Sequence, residues 1–457
     1  MRKIILLLSA CALLCGCKEQ SAEKKFTRNN DIIQNPGQGW MSIGWKMDPK
    51  LPYGSRYVRF HWKSLEPEEG KYNWEPIDKE IARAEKLGIP FSFRVMCASA
   101  HSATPYASPE WVFKKRGAKF AMFKNDPNGD SSTGDTKFER VTPIFEDPVF
   151  IKLHERFIKA LAERYDGDPR ISTIDIGSYG NWGEWHCTSL GLGKGVVRPH
   201  SREVRQRYAD MYLKNFKKTP MIFMTDDHET LEYALGDGEK PRVGMRRDGV
   251  GHFKRWIGTF PYEKITRMGD VWKDMPMFFE FFASVNMMRG WGWDIPYSLK
   301  WVLKNHASLV NEGPLGPDQI AEGSSEEKLL RDIDLYAGAR LVPEKARVEC
   351  EDGVIKVRVE GTNKGVSKIY LPYEFVYELR DRAGNVVAEK ISAKNPGSIL
   401  PGKFVLSDEF KADLKDGETY FLSLRVRHIQ KVFKDFRFAS KNLTKDGSLD
   451  LGNIKIK

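Results

Sequence analysis

No hydrophobic run in these 457 residues reaches the roughly 20 residues that a bilayer-spanning helix needs. The apolar stretch from Ile4 to Leu14 is too short for a permanent span, which excludes an ordinary transmembrane anchor there. Cysteine is scarce as well. Of six cysteines, Cys11, Cys15 and Cys17 sit within the first residues, so only Cys97, Cys187 and Cys350 remain for a folded body. An odd trio makes no disulfide framework, and without C-x-x-C spacing or a histidine cluster it makes no structural zinc site. Buried free thiols are the expectation. Missing too are a G-x-G-x-x-G turn after any strand-like run and a G-x-S-x-G elbow. Their absence argues against a dinucleotide fold and against Ser-His-Asp esterase chemistry. No metal site and no cofactor is expected.

What is present begins with Arg2 and Lys3, then the short apolar run, then Leu14-Cys15-Gly16-Cys17. This is a secretory signal with a lipobox-like end, predicting cleavage before Cys17 and lipid on Cys17. Residues 1–16 are then a signal peptide and 17–25 a polar tether, expected to be disordered. The expected location is the cell envelope, lipid-anchored to a bacterial membrane, the outer membrane or cell surface if the cell is Gram-negative. The balance is basic, 73 Lys and Arg against 62 Asp and Glu, a formal charge of +11. Such a surface favours anionic partners. No nucleic-acid motif accompanies the charge, so an anionic polysaccharide fits an exported chain better than nucleic acid.

All twelve tryptophans lie between Trp40 and Trp301. Before Val342, apolar strand-like runs alternate with amphipathic helical stretches, the signature of a parallel sheet with crossover helices. Eight such runs predict strands: Gly39–Gly44, Tyr57–Phe60, Phe91–Met96, Ile171–Ile176, Met221–Met224, Val243–Arg246, Met277–Phe282 and Ala307–Asn311. Helices are predicted behind Trp74-Glu75-Pro76, behind Asp147-Pro148 and from Ser201. The fold expected for residues 26–342 is an α/β class (β/α)₈ TIM barrel. From 343 to 457 the pattern changes to period-two alternation with turn signals, as in Val354–Val359, Phe375–Leu379 and Phe421–Arg427. An all-β antiparallel sandwich is expected there, in a structural role.

Hydrolysis of a glycosidic bond uses two carboxyl groups flanking it, and in a (β/α)₈ barrel both stand at C-terminal strand ends. Two acids fit. Glu280 interrupts the apolar run Met277-Phe278-Phe279-Glu280-Phe281-Phe282, where burying a carboxylate costs several kcal/mol unless it is paired or faces a polar cavity. Glu184 lies past the fourth strand in Gly177-Ser178-Tyr179-Gly180-Asn181-Trp182-Gly183-Glu184-Trp185-His186, whose glycines suggest a tightly turned backbone. Arg59 is a candidate to hold the nucleophile ionised. Trp62, Trp185, Trp291 and Trp293 are candidate stacking faces for sugar rings, and His186 a candidate for binding hydroxyls. Arg246 and Arg247, in a basic run with Arg242, His252, Lys254 and Arg255, predict a loop after the sixth strand that recognises sulfate or carboxylate on the substrate.

The segment Arg59-Phe60-His61-Trp62-Lys63-Ser64-Leu65-Glu66-Pro67-Glu68-Glu69-Gly70-Lys71-Tyr72-Asn73-Trp74 resembles the second-strand region of clan A glycoside hydrolases, notably the family 42 β-galactosidase-like group. The Asn35-Pro36-Gly37-Gln38-Gly39-Trp40 opening, the Gly180–His186 motif and the closing Asp446–Gly452 also resemble a largely uncharacterised bacterial family of barrel plus β-sandwich. The resemblance implies a retaining glycosidase with its acid/base after strand four and its nucleophile on strand seven, matching Glu184 and Glu280. One departure is that Gly183, where clan A usually has Asn, precedes the acid/base; the nearest Asn is Asn181, a candidate contact to the sugar. The function expected is therefore a retaining glycoside hydrolase on a poly- or oligosaccharide, β-galactosidase-like and with an anionic glycan as substrate. Its rival is a glycan-binding surface lipoprotein on an enzyme-like barrel that does not hydrolyse.

Overall fold

A computed structural model of the chain describes residues 20–44, 47, 51–100, 104–123, 139–187, 200–250, 268–281 and 283–456. The signal segment, Cys17, and His252, Lys254 and Arg255 of the basic run lie outside the described residues. In chain order, β1 (Gln20–Lys25) precedes two barrel strands, β2 (Gly39–Ile43) and β3 (Tyr53–His61), followed by β4 (Phe91–Met96). A small hairpin, β5 (Phe120–Phe123) and β6 (Arg140–Pro143), interrupts the series. It then continues with β7 (Ile171–Asp175), β8 (Met221–Met224), β9 (Gly244–Arg247), β10 (Met277–Glu280) and β11 (Leu309–Asn311). Strands β2, β3, β4, β7, β8, β9, β10 and β11 close into one barrel, and every neighbouring pair is parallel. The eight strands expected from the apolar runs are all there.

Parallel strands wrapped by helices are buried on both faces, which is why they read as apolar runs and not as alternation. All six residues of β4 are buried. The crossover helices start where local chemistry starts them. Asp147 caps the helix Pro148–Tyr165 by accepting a hydrogen bond from the Phe150 amide at 2.9 Å. Gly88 stops the helix Glu75–Leu87 at φ 68°, a left-handed turn that costs glycine little.

Beyond Tyr336 the chain supplies seven of the eight strands of two four-stranded antiparallel sheets, and β1 supplies the eighth. One orders β1, β12 (Leu341–Glu351), β13 (Val354–Asn363) and β16 (Gly402–Lys411). The other orders β15 (Val386–Ile391), β14 (Tyr373–Arg380), β17 (Thr419–His428) and β18 (Leu449–Lys455). Their inner faces share an apolar core that includes Val357, Val359, Phe375, Tyr377, Leu406, Leu422 and Leu424. The three cysteines of the folded body are buried.

One expectation is corrected. Within the stretch read as a disordered tether, Gln20–Lys25 forms β1 and pairs antiparallel with β12, from Gln20 opposite Cys350 to Lys25 opposite Lys345. Strand addition at a sheet edge uses main-chain hydrogen bonds, which a polar sequence supplies as well as an apolar one. Lys24 also meets Asp450 at 2.8 Å.

The sandwich docks on the N-terminal floor of the barrel. Gln38, just before β2, exchanges hydrogen bonds with both backbone groups of Ala339, and His306, before β11, meets the carbonyl of Val366 at 2.7 Å. A cavity of about 520 Å³ lies at this junction, between the strand starts around Thr173 and Phe278 and the segment Lys368–Pro372. The C-terminal mouth lies at the opposite end of the barrel strands.

Candidate active site

Glu280 is the last residue of β10 and so stands at the mouth. Glu184 reaches it from the loop after β7, and the glycines expected to turn that loop do so. Gly183 has φ 71°, and a β-carbon there would sit 1.9 Å from the carbonyl oxygen of Gly177. Trp182 and Trp185, either side of Gly183 and Glu184, have φ 53° and 62°. Left-handed backbone at two tryptophans is costly and persists where the surroundings over-determine it. Asn181 N donates to His186 O at 2.7 Å, Glu184 N to Asn181 O at 2.9 Å, and Trp182 N to Ala98 O beside β4 at 3.0 Å.

Under the two acids lies a charged lumen. Arg94, in the middle of β4, and Arg246, on β9, are both inaccessible to solvent. Arg94 Nη2 meets Glu184 Oε1 at 2.5 Å, and Nη1 lies 3.5 Å from Asp175 Oδ2. Arg246 Nη1 lies 3.7 Å from the same Asp175 oxygen, which also accepts from the Tyr57 hydroxyl at 2.6 Å. Arg246 Nη2 lies 3.5 Å from Glu184 Oε1 and makes a short direct contact with Glu280 Oε2. Two oxygens sharing one nitrogen in this way are closer than the roughly 6.5 Å at which an inverting pair begins.

Electrostatics separate the acids. Burial works to raise the pKa of Glu184, but Arg94, a hydrogen bond from His186 and the charge of Arg246 outweigh it and hold this carboxyl well below its ordinary range. His186 Nε2 is 3.6 Å from Glu184 Oε2, and although burial opposes its charge, the carboxylate raises its pKa. Asp248, just past β9, is shifted the other way: burial, then Glu280 and Glu184, push it well above the carboxylate range.

Several expected roles are corrected. Arg59 does not hold Glu280; its Nη1 lies 3.8 Å from Glu184 Oε1, and Arg246 takes the place beside Glu280. Trp62 is fully buried among Trp111, Phe150, His154 and Phe157, so no face is open to a sugar. Trp185 is likewise enclosed, its indole donating to Ile176 O at 2.6 Å and its ring against Phe223. Asn181 is fully buried, with its amide oxygen accepting from Ala100 N, and it braces the loop. Arg246 and Arg247 are not loop residues reaching for an anion. Both belong to β9, and both face carboxylates, Arg247 Nη1 lying 3.6 Å from Asp226 Oδ1. Their charge is already answered by the protein.

Trp291 and Trp293 stand differently. They follow the short helix Val285–Gly290 beyond β10, Trp291 is half exposed, and the two rings lie 4.8 Å apart. Their planes are tilted by 49°, and they sit on the segment that follows the strand carrying Glu280. Sequence reading missed Arg94, Asp175, Tyr57, Asp226 and the placement of Asp248. Arg94 carried a usable signal, a charge inside the apolar run Phe91–Met96, the same signal that singled out Glu280.

The fold is that of a (β/α)₈ barrel with two acids brought together at its strand ends. Residues 52–189 match the glycoside hydrolase 42 family model, described as beta-galactosidase, and this supports the clan A, family-42-like resemblance over a segment that includes Arg59, Arg94, Asp175 and Glu184. The chain is 30% identical to Beta-galactosidase BbgII of Bifidobacterium bifidum over 195 residues, 41% of this chain and 25% of that protein. It is 25% identical to Endo-1,4-beta-xylanase A of Halalkalibacterium halodurans over 220 residues, 45% of this chain and 49% of that one. The chain thus spans about a quarter and about half the length of these curated relatives. Among solved structures, endo-glycoceramidase II from Rhodococcus sp. is similar at 12% identity and a TM-score of 0.38, over 77% of this chain and 88% of that one.

Proposed function

We propose that this protein is a retaining glycoside hydrolase, with Glu280 as nucleophile and Glu184 as acid/base. The observation that carries the proposal is the sharing of Arg246 Nη2 by both carboxyls at the barrel mouth. In the first step Glu280, in contact with Arg246, bonds to the anomeric carbon as the glycosidic oxygen leaves with a proton from Glu184. In the second, Glu184 takes a proton from water as the water oxygen bonds to the anomeric carbon and the bond from that carbon to Glu280 breaks, which releases the sugar with its configuration retained. Trp291 and Trp293 supply a stacking face for a neighbouring ring. The beta-galactosidase named among the relatives makes a β-galactoside the first substrate to try.

The anionic-glycan expectation rested on the basic balance and on the run from Arg242 to Arg255; within that run Arg246 and Arg247 already face carboxylates, while His252, Lys254 and Arg255 lie outside the described residues, so charged and neutral glycans are both to be tried. Export and a lipid on Cys17 remain a proposal resting on Arg2, Lys3 and the lipobox-like Leu14–Cys17. Incorporation of a fatty-acid analogue by the wild type and its loss in Cys17→Ser tests it.

The function is tested with a panel of aryl glycosides, neutral and sulfated, read by proton NMR for the anomer first released. Retention is expected, with losses of roughly a hundredfold or more in Glu280→Gln. Release of the inverted anomer, or near-normal turnover by Glu280→Gln, overturns the assignment. A chain that binds these glycans without cleaving any of them is a binding protein instead.

A further inference from the structure

The cavity of about 520 Å³ between the barrel floor and the sandwich lies at the opposite end of the strands from Glu184 and Glu280. Its size falls within the roughly 300–1,000 Å³ of small-ligand clefts. Two hydrogen bonds tie its frame across the junction. The Tyr370 hydroxyl donates to the Trp272 carbonyl, and Lys368 Nζ donates to the Lys273 carbonyl at 2.8 Å.

Charge in the lining is uneven. Lys240, ahead of β9, Lys273, ahead of β10, and Lys368, on the sandwich side, bring three ammonium groups, against the single carboxylate of Asp274. Lys273 is answered by Asp270 at 2.5 Å. Neither Lys240 nor Lys368 forms an ion pair among the described residues. Lys368 is half-buried, and its ammonium lies 5.6 Å from the centroid of the Tyr370 ring. Of the three donors an ammonium carries, the one on the Lys273 carbonyl is the only one with a hydrogen-bond acceptor among the described residues. Burial lowers the pKa of this lysine, and the charge of Lys240 adds to that lowering against the opposite pull of Asp274. A cation drawn out of water without a counter-charge is costly, and an anion in the cavity removes that cost. Much of the remaining wall is apolar, with Phe278, Leu309, Leu371 and Leu400 in it, a surface that an inorganic ion leaves unused and an organic body covers.

We propose that this junction is a second binding site, which takes a small organic carboxylate: the acid group meets Lys368 and Lys240, and the body covers the apolar wall. The site stands apart from the mouth and does not depend on the glycosidase reading. Because its lining comes from both the barrel and the sandwich, the ligand bridges them and binds the folded chain alone, so it should also raise Tm.

Isothermal titration calorimetry on the full chain, with galacturonate, benzoate and galactose as probes, tests the proposal. A carboxylate should bind, and galactose should bind at least roughly tenfold more weakly than galacturonate. Lys368→Met and Lys240→Met should each weaken the carboxylate by roughly tenfold or more, and Lys368→Arg should keep most of the affinity. Lys368→Met also removes the hydrogen bond to Lys273, so Lys240→Met carries the test if that variant does not fold. Glu280→Gln should bind the carboxylate as wild type does. Tighter binding of galacturonate makes the body a sugar and tighter binding of benzoate an aromatic acid, and either upholds the site. Absence of binding by both carboxylates, galactose bound as tightly as galacturonate, or affinity unchanged in both lysine variants overturns it. Loss of binding in Glu280→Gln places the carboxylate in the mouth and overturns it too.

Discussion

The barrel and the sandwich solve the problem of filling an interior in opposite ways. The sandwich packs side chains such as Val357, Phe375, Leu406 and Leu424 between two sheets, with apolar burial as its main source of stability. Near its mouth the barrel buries two arginines and three carboxylates, Asp175, Glu184 and Glu280. Several of their polar atoms, including Arg94 Nε, Arg246 Nε and Asp175 Oδ1, lack a hydrogen-bond partner among the described residues. A buried ion network of this kind adds little net stability over a well-packed apolar one. What it provides here is a mouth whose carboxylates are each set against a buried guanidinium, with the sandwich braced against the other end.

The largest effect should come from breaking that network on one side. Arg246→Met leaves Glu280 and Glu184 without their shared guanidinium, and loss of one partner of a buried pair costs about 3–5 kcal/mol. Denaturant unfolding should show this loss. Adding Glu280→Gln in the same chain should recover much of the stability while turnover stays abolished. If the double variant is no more stable than the single one, Arg246 acts through packing and the contrast with the sandwich fails.

The sandwich supplies the opposite case. Leu406→Ala opens a hole in a fully buried position and should cost about 2–5 kcal/mol. No second substitution of charge should rescue it, and kcat/KM of the folded fraction should match wild type. A change in kcat/KM would show that the floor contacts of Gln38 and His306 pass strain to the mouth.

How much of this was legible in the sequence follows from the same contrast. The eight barrel strands showed because strands buried on both faces leave continuous apolar runs. The hairpin of β5 and β6 did not show, since Phe120 and Met122 are exposed and the hairpin belongs to a long loop. Nor did β1, whose pairing is carried by backbone. Glu280 was found as an acid among phenylalanines. Trp62 and Trp185 were misread because proximity to a motif says nothing about which way a ring points. Arg246 was misread for a subtler reason: a run of bases looks like a solvated loop, and the strand's direction into the lumen, where carboxylates from β7 and β10 meet it, is set by elements far away in sequence.

A smaller effect compares how each region hides a histidine. His154, on the helix Pro148–Tyr165, and His428, at the end of β17, are both fully buried, and burial lowers their pKa to about 3 and about 4. In the unfolded chain both titrate near 6.5. Between about pH 6.5 and the folded value the unfolded state binds more protons, so stability is intact above 6.5 and falls as the pH is lowered through that window. Each histidine should contribute a slope of up to about 1.4 kcal/mol per pH unit. The two differ in what they hold. His154 Nε2 lies 2.6 Å from Ser178 Oγ, which in turn lies 2.6 Å from the Tyr212 hydroxyl, beneath the loop that carries Glu184. His428 has neither ring nitrogen hydrogen-bonded among the described residues and rests against Tyr373 and Phe433. His428→Phe should therefore flatten part of the acid slope at little cost to stability at pH 7 and none to turnover. His154→Phe should flatten it equally but lower kcat, because Ser178 loses one of its two partners next to Gly177 and the loop shifts. Unfolding curves at pH 5 and 7, with kcat beside them, separate the two; equal effects on kcat would mean that the Ser178 contact does not position Glu184.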